Sequence, residues 1–152
     1  GLRLAHALRK IWWRTMRPQV PGVQIIAFDD AGRVLLLRHS YGSRQWMTPA
    51  GGLGRREGAV AAAQRELAEE VGCTLQPAWL LGVREEDLHG ARNVIHAVVG
   101  PLRGTPCADG REVLAVGLFT ADALPDDMPP RQRAELPGLL AAARAAFGAK
   151  QR

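Results

Sequence analysis

From residue 51 to residue 73 the chain runs GGLGRREGAVAAAQRELAEEVGC. The alanine-rich segment from Ala59 to Val71 predicts a helix, with Gly72 placed to close it as a C-cap. At about 100° per residue, Val60, Ala63, Leu67 and Val71 fall on one stripe that should face a core. Glu66, Glu69 and Glu70 stand at i, i+3 and i+4 and crowd a second stripe roughly a quarter turn away. Like charges at that spacing repel, each close pair costing a few tenths of a kcal/mol on an exposed helix. A divalent cation would remove the penalty, and an all-oxygen donor set suits Mg²⁺ or Mn²⁺ better than zinc. A solvated acidic face has the same E-x-x-E-E pattern, so the three residues alone leave both readings open. Their context favours the first. Arg65 lies one turn before Glu69 and beside Glu66, where its guanidinium fork can orient a carboxylate. Glu57 precedes the helix, within reach of Arg65 and favoured there by the helix dipole. Gly51 and Gly52 permit a backbone path close to a ligand, and Ala62, one turn before Glu66, leaves room beside it.

Working outward, GVQIIAF and VLLLRH flank the turn Asp29-Asp30-Ala31-Gly32 and predict a hairpin of strands over Val23–Phe28 and Arg33–His39. Residues 41–58 contain glycines and a proline and predict a loop. Further strands are expected over Leu80–Glu86, Asn93–Gly100 and Val113–Phe119, and a last helix from about Arg131 to Phe147, after Pro129-Pro130. This is one mixed α/β domain over residues 19–152, with no internal repeat and no low-complexity linker.

The first segment, LRLAHALRKIWWRTMRP, is helix-like until Pro18 stops it. Leu4, Leu8, Ile11 and Trp12 recur at helical spacing, and residues 1–17 carry five basic side chains and no acid. An amphipathic helix over 1–18 packed on its own domain or on a second subunit in a homodimer is the leading expectation. A membrane-surface helix, suggested by Trp12-Trp13, and a helix contacting nucleic acid are the alternatives. Broken by Arg9 and Lys10, the segment is not read as a signal peptide.

The chain has 152 residues, 47% hydrophobic and 23% charged, which excludes a disordered or fibrous class. The net charge of +5 resides in the first 17 residues, so the globular part is balanced and lacks the spread basic face of a nucleic-acid-binding fold. No run approaches the roughly 18 apolar residues of a membrane span. Two cysteines, Cys73 and Cys107, are too few for a disulfide framework and suggest a reducing, cytoplasmic setting. Arginine outnumbers lysine 18 to 2, a hint of a GC-rich bacterial coding sequence.

Residues 51–73 resemble the Nudix box, G-x5-E-x7-R-E-U-x-E-E-x-G-U, where U is apolar. Gly51, Glu57, Arg65, Glu66, Leu67, Glu69, Glu70, Gly72 and Cys73 fill its fixed positions, Cys73 being the softest match. Trp46 and Pro49 look like the family's W-x-x-P lead-in, and Leu118–Pro125 like its late strand and turn. The resemblance implies an α/β/α sandwich with a mixed sheet, of the MutT-like Nudix type. It implies an enzyme that hydrolyses a nucleoside diphosphate linked to a group X, with Mg²⁺ as cofactor, replaceable by Mn²⁺. By the same resemblance Glu66, Glu69 and Glu70 would be metal ligands, joined by the Gly51 carbonyl, with Glu57 and Arg65 as the supporting ion pair. Glu112 is the candidate for a further carboxylate that binds metal or serves as base, with Glu85 and Glu86 as competitors. For the base, Glu69 or Glu66 on the helix comes first, with Glu112 as runner-up. Arg38, His39, Tyr41 and Arg44 are candidate substrate contacts, with strand-end charge or loop packing as the plainer readings; His39 is expected at the surface. Gly54 and Arg56 depart from the Glu and Gly that relatives often carry there, which leaves the metal stoichiometry open. About 16 and 18 residues past Cys73 stand His89 and Ala91, not the proline of ADP-ribose enzymes or the tyrosine of dinucleoside polyphosphate enzymes. The nature of X is thus left open. A regulatory module without turnover and an RNA 5′-end pyrophosphohydrolase are the alternative functions.

Overall fold

A computed structural model describes residues 21–88 and 91–152. The helix expected over residues 1–18, with the homodimer, membrane and nucleic-acid contacts assigned to it, lies outside the described residues, as does His89. The elements in chain order are β1 (Gly22–Phe28), β2 (Val34–His39), β3 (Trp46–Met47), β4 (Ala50–Gly52), α1 (Ala59–Val71), β5 (Thr74–Leu75), β6 (Trp79–Leu88), β7 (Ala91–Arg103), β8 (Val113–Phe119), a 3₁₀ turn (Ala121–Ala123) and α2 (Pro130–Gln151).

β1 is the axis of the sheet. It pairs in parallel with β7 from Gly22↔Ile95 to Phe28↔Pro101, and antiparallel with β2 at Phe28↔Val34 and with β4 at Val23↔Gly51. β8 pairs with the edge of β2 away from β1 and β3 with the other edge, while β6 and β5 pair with β7. Every residue of β1 is buried, because both faces of the sheet are covered. Ile25 and Ala27 join Leu35, Leu37, Leu67 and Val71 in a cluster under α1. Ile26 and Phe28 join Leu36, Val99, Leu136 and Leu140 under α2. The period of two thus splits one apolar strand between two cores, giving the expected α/β/α sandwich.

The turn between β1 and β2 is held by Asp29, whose Oδ1 accepts from the Ala31 and Arg33 amides at 3.1 and 2.8 Å. α1 ends as expected: Gly72 takes a left-handed conformation (φ 72°) and its N–H donates to the Ala68 carbonyl at 3.0 Å. Two expectations need correcting. The loop over residues 41–58 contains β3 and β4, two- and three-residue strands made by pairing with β2 and β1 rather than by local propensity. Ala62 gives no open space beside Glu66, for it is fully buried. α2 starts one residue early at Pro130 and continues through Pro137. Proline removes one amide donor there, and the flanking Leu136 and Leu140, buried against the sheet, hold the helix together. None of the described helices is long and apolar enough to cross a membrane.

Leu67 sits at 0% exposure at the centre of the α1 cluster. Leu67→Ala should lower the unfolding free energy by about 2–5 kcal/mol, measured as a shifted urea midpoint at unchanged slope.

Candidate active site

The glutamates of α1 do not form a solvated face. Glu66 and Glu70 are only 3% and 5% exposed, while Glu69 points outward. The helix turns its acidic stripe against the sheet, and side chains of the same chain meet the resulting charge. Arg65 extends back over the loop before the helix. Its Nε donates to Glu57 Oε2 at 2.8 Å and its Nη2 to Glu57 Oε1 at 2.9 Å, a two-toothed contact. Its Nη1 donates to Glu66 Oε1 at 3.0 Å and lies 3.8 Å from Glu69 Oε2. The same guanidinium reaches the Gly52 carbonyl at 3.4 Å. The Glu57 bond is the largest influence in raising the Arg65 pKa, ahead of the opposing effect of burial and of the Glu66 charge. A raised guanidinium pKa adds stability that is lost only as pH rises through the folded value, above any working pH.

Gly51 of β4 lies directly against Glu66. A Cβ built there would stand 2.7 Å from Glu66 Cγ and would overlap the carboxyl. Only glycine lets the β4 backbone and this carboxylate come together. Gly54 completes the loop by donating its N–H to Glu57 Oε1 at 3.1 Å.

Glu70 meets a residue expected at the surface. His39 is 3% exposed, and its Nε2 donates to Glu70 Oε2 at 3.1 Å. The period of two along VLLLRH carried this signal, since His39 shares a face with Leu35 and Leu37 of the α1 cluster. Tyr41 tilts against the His39 ring, centroids 5.1 Å apart. Glu112 also reaches this end of β2, where its carbonyl accepts from the Ser40 amide at 3.0 Å. Asp109 Oδ1 sets that loop by accepting from the amides of Arg111, Glu112 and Val113 at 2.8–3.0 Å.

Glu57, Glu66, Glu69 and Gly51 thus meet around Arg65, Glu70 meets His39, with Tyr41 against that ring, at the end of β2, and Glu112 is tied to the same strand end through its backbone. Arg38 and Arg44 lie apart from them. Arg38 alternates with Val34 and Leu36 toward the α2 face; its Nε donates to the Arg44 carbonyl at 3.0 Å, and its guanidinium lies 5.8 Å from the Trp46 ring centre. Arg44 is exposed, with φ 58°. Glu85 pairs with Arg92 at 3.1 Å and Glu86 with Arg84 at 2.9 Å, both on the β6–β7 hairpin. Among the described residues, no three Asp, Glu, His or Cys side chains are gathered closely enough to enclose a metal ion as they stand. The donor chemistry still fits a hard cation, being carboxylate and carbonyl oxygen, with the Gly51 backbone open beside Glu66.

The chain belongs to the NUDIX family: the family model described as NUDIX domain matches residues 18–139. It is similar to an RNA pyrophosphohydrolase of Teredinibacter turnerae, 42% identical over 65 residues, which span 43% of this chain and 38% of that relative's length. Its fold is similar to the crystal structure of a MutT NUDIX hydrolase from Burkholderia pseudomallei, with TM-score 0.66 and 27% identity, covering 78% of this chain and 95% of the other. It also resembles the fold of a MutT protein from Methanosarcina mazei, with TM-score 0.65 and 22% identity, covering 77% and 89%.

Arg65→Met removes the donors that hold Glu57 and Glu66. It should cost about 1–3 kcal/mol of stability in chemical denaturation, and Arg65→Lys should recover less than half of that because an ammonium cannot fork.

Proposed function

We propose that residues 19–152 form a divalent-metal-dependent Nudix hydrolase that cleaves the pyrophosphate bond of a small nucleotide, a nucleoside diphosphate linked to a further group. The observation that carries this reading is the Arg65 clamp on Glu57 and Glu66, with Glu66 seated on the bare backbone of Gly51. Glu66, Glu69, Glu70 and the Gly51 carbonyl would hold Mg²⁺, or Mn²⁺ in its place, with Glu112 as a further candidate ligand. Bound there, the metal would offset diphosphate charge and make an attacking water more acidic. The chain's own residues supply the rest. Arg65 fixes the inward carboxylate of Glu66 and holds Glu57 against the loop before α1. Glu69, exposed at the mouth of the site, is the first candidate to accept the water's proton, with Glu66 and Glu112 next. Tyr41, beside His39, is a candidate contact for substrate; Arg38 and Arg44 could meet it only on the α2 side.

A second reading, removal of pyrophosphate from RNA 5′ ends, is favoured by the similarity to the T. turnerae RNA pyrophosphohydrolase. The two readings separate on a panel of nucleoside triphosphates, sugar nucleotides, dinucleotides and 5′-triphosphorylated RNA, assayed for phosphate and pyrophosphate release. Mg²⁺-dependent turnover of a small nucleotide should fall at least about a hundredfold in Glu69→Gln and vanish with EDTA. Turnover of RNA alone, weakening steeply with salt, would establish the second reading. Silence on every substrate with either metal would leave a binding module without turnover.

A further inference from the structure

Away from the carboxylates, the two cysteines of the chain are brought together. Cys73 follows the Gly72 cap of α1 and leads into β5, while Cys107 lies in the loop over residues 104–112 between β7 and β8. The antiparallel pairs Thr74↔Arg103 and Leu75↔Leu102 run these two stretches side by side. Just past those pairs Gly104 crosses the Cys73 sulfur, where a Cβ built on the glycine would stand 3.4 Å from Sγ. The loop then folds back on the end of α1. The Cys107 N–H donates to the Val71 carbonyl at 3.2 Å, and the Cys73 thiol donates to the same oxygen at 3.7 Å. One carbonyl thus receives the amide of one cysteine and the thiol of the other.

The two sulfurs sit in different surroundings. Cys73 is 1% exposed and belongs to the apolar cluster under α1, whereas Cys107 is exposed. The Cys107 thiol lies along the loop, donating to the Ala108 carbonyl at 3.7 Å, and Ala108 packs on the cluster that holds Cys73. Burial, and after it the neighbouring Cys107, push the Cys73 thiol up. Cys73 is therefore both shielded and kept protonated, and the exposed thiol is the one an oxidant meets first.

We propose that Cys73 and Cys107 form a peroxide-responsive thiol pair that closes to an intrachain disulfide, pinning the β7–β8 loop to the end of α1. Hydrogen peroxide transfers one oxygen to the Cys107 sulfur, giving a sulfenic acid and releasing water. The Cys73 sulfur then attacks that sulfur and gives up its proton; the S–O bond breaks and the oxygen leaves as a second water. Two thiols lose two electrons in total, and one peroxide is reduced to two waters. A small thiol reverses the bond by exchange, so in a reducing setting the pair rests as two thiols. Asp109, two residues beyond Cys107, holds the amides of Arg111, Glu112 and Val113, so the bond would fix this clamp relative to α1. The proposal does not depend on the hydrolase reading.

The test exposes the full chain to hydrogen peroxide, stops the reaction with catalase and maps its peptides without reduction. The expected product is a Cys73–Cys107 cross-linked peptide from a chain lighter by two hydrogens, with both thiols lost to a thiol reagent in denaturant and both restored by dithiothreitol. Because the bond closes a long stretch of chain, the thermal midpoint should rise by about 5 °C or more and return on reduction. Cys107→Ser, a change at an exposed position, should keep its Cys73 thiol at the same peroxide dose and show no such rise. Oxygen added to Cys107 with Cys73 left free, or a bond joining Cys107 of two copies, would overturn the proposal. So would a Cys107→Ser chain whose Cys73 is oxidised as fast as in wild type, and an intrachain bond that leaves the midpoint unmoved would overturn the pinning of the loop. If the variant fails to fold, the peptide map and midpoint of the wild type decide by themselves.

Discussion

The guanidinium of Arg65 is the contact on which the rest of the site depends. Two inward glutamates on one helix are electrostatically unfavourable, and desolvation adds to the cost when the helix packs on a sheet. Arg65 offsets this for Glu66 by lying between it and Glu57, with Glu69 at the edge of the same fork. Because Glu57 belongs to the segment before the helix, the bonds that neutralise charge also fix the path of the chain from β4 into α1. α1 has no side-chain N-cap and no acid in its first turn, so its start relies on this loop rather than on local capping. A lysine at position 65 would carry the charge but could not span both carboxylates with fixed angles.

The other buried glutamate is met from the sheet. His39 ends β2 on the α1 side, and its bond to Glu70 ties the last turn of the helix to the strand. Asp109 gathers three amides at the start of β8 and thereby sets Glu112 beside the same strand end. Arg65 at one end of the acidic stripe and His39 at the other hold the helix in rotation as well as in position.

The sequence made α1 legible to the residue, because alanine content, apolar spacing and Gly72 all agreed on one helix. β8 matched its expected bounds too, and β6 and β7 lay within a few residues of theirs. The strands β3 and β4 were illegible, since two or three residues have no period and these exist only through their partners. The burial of Glu66 and Glu70 was hidden for a related reason: an acidic stripe looks the same whether water or a sheet faces it. His39 was misread as a surface residue although its spacing from Leu37 put it on the core side.

α1 with its carboxylates covers one face of the sheet and α2 the other, and the two faces differ in their freedom to change. On the α1 side, Gly51, Glu66, Arg65 and Glu57 interlock so closely that altering one strands another. On the α2 side, exposed ion pairs such as Arg131–Glu135 can be exchanged without leaving a buried charge behind. Mutational drift would accordingly be filtered hard on one side of the sheet and lightly on the other. A fold divided in this way can acquire new ligand preferences by piecemeal change while its reaction chemistry is inherited intact.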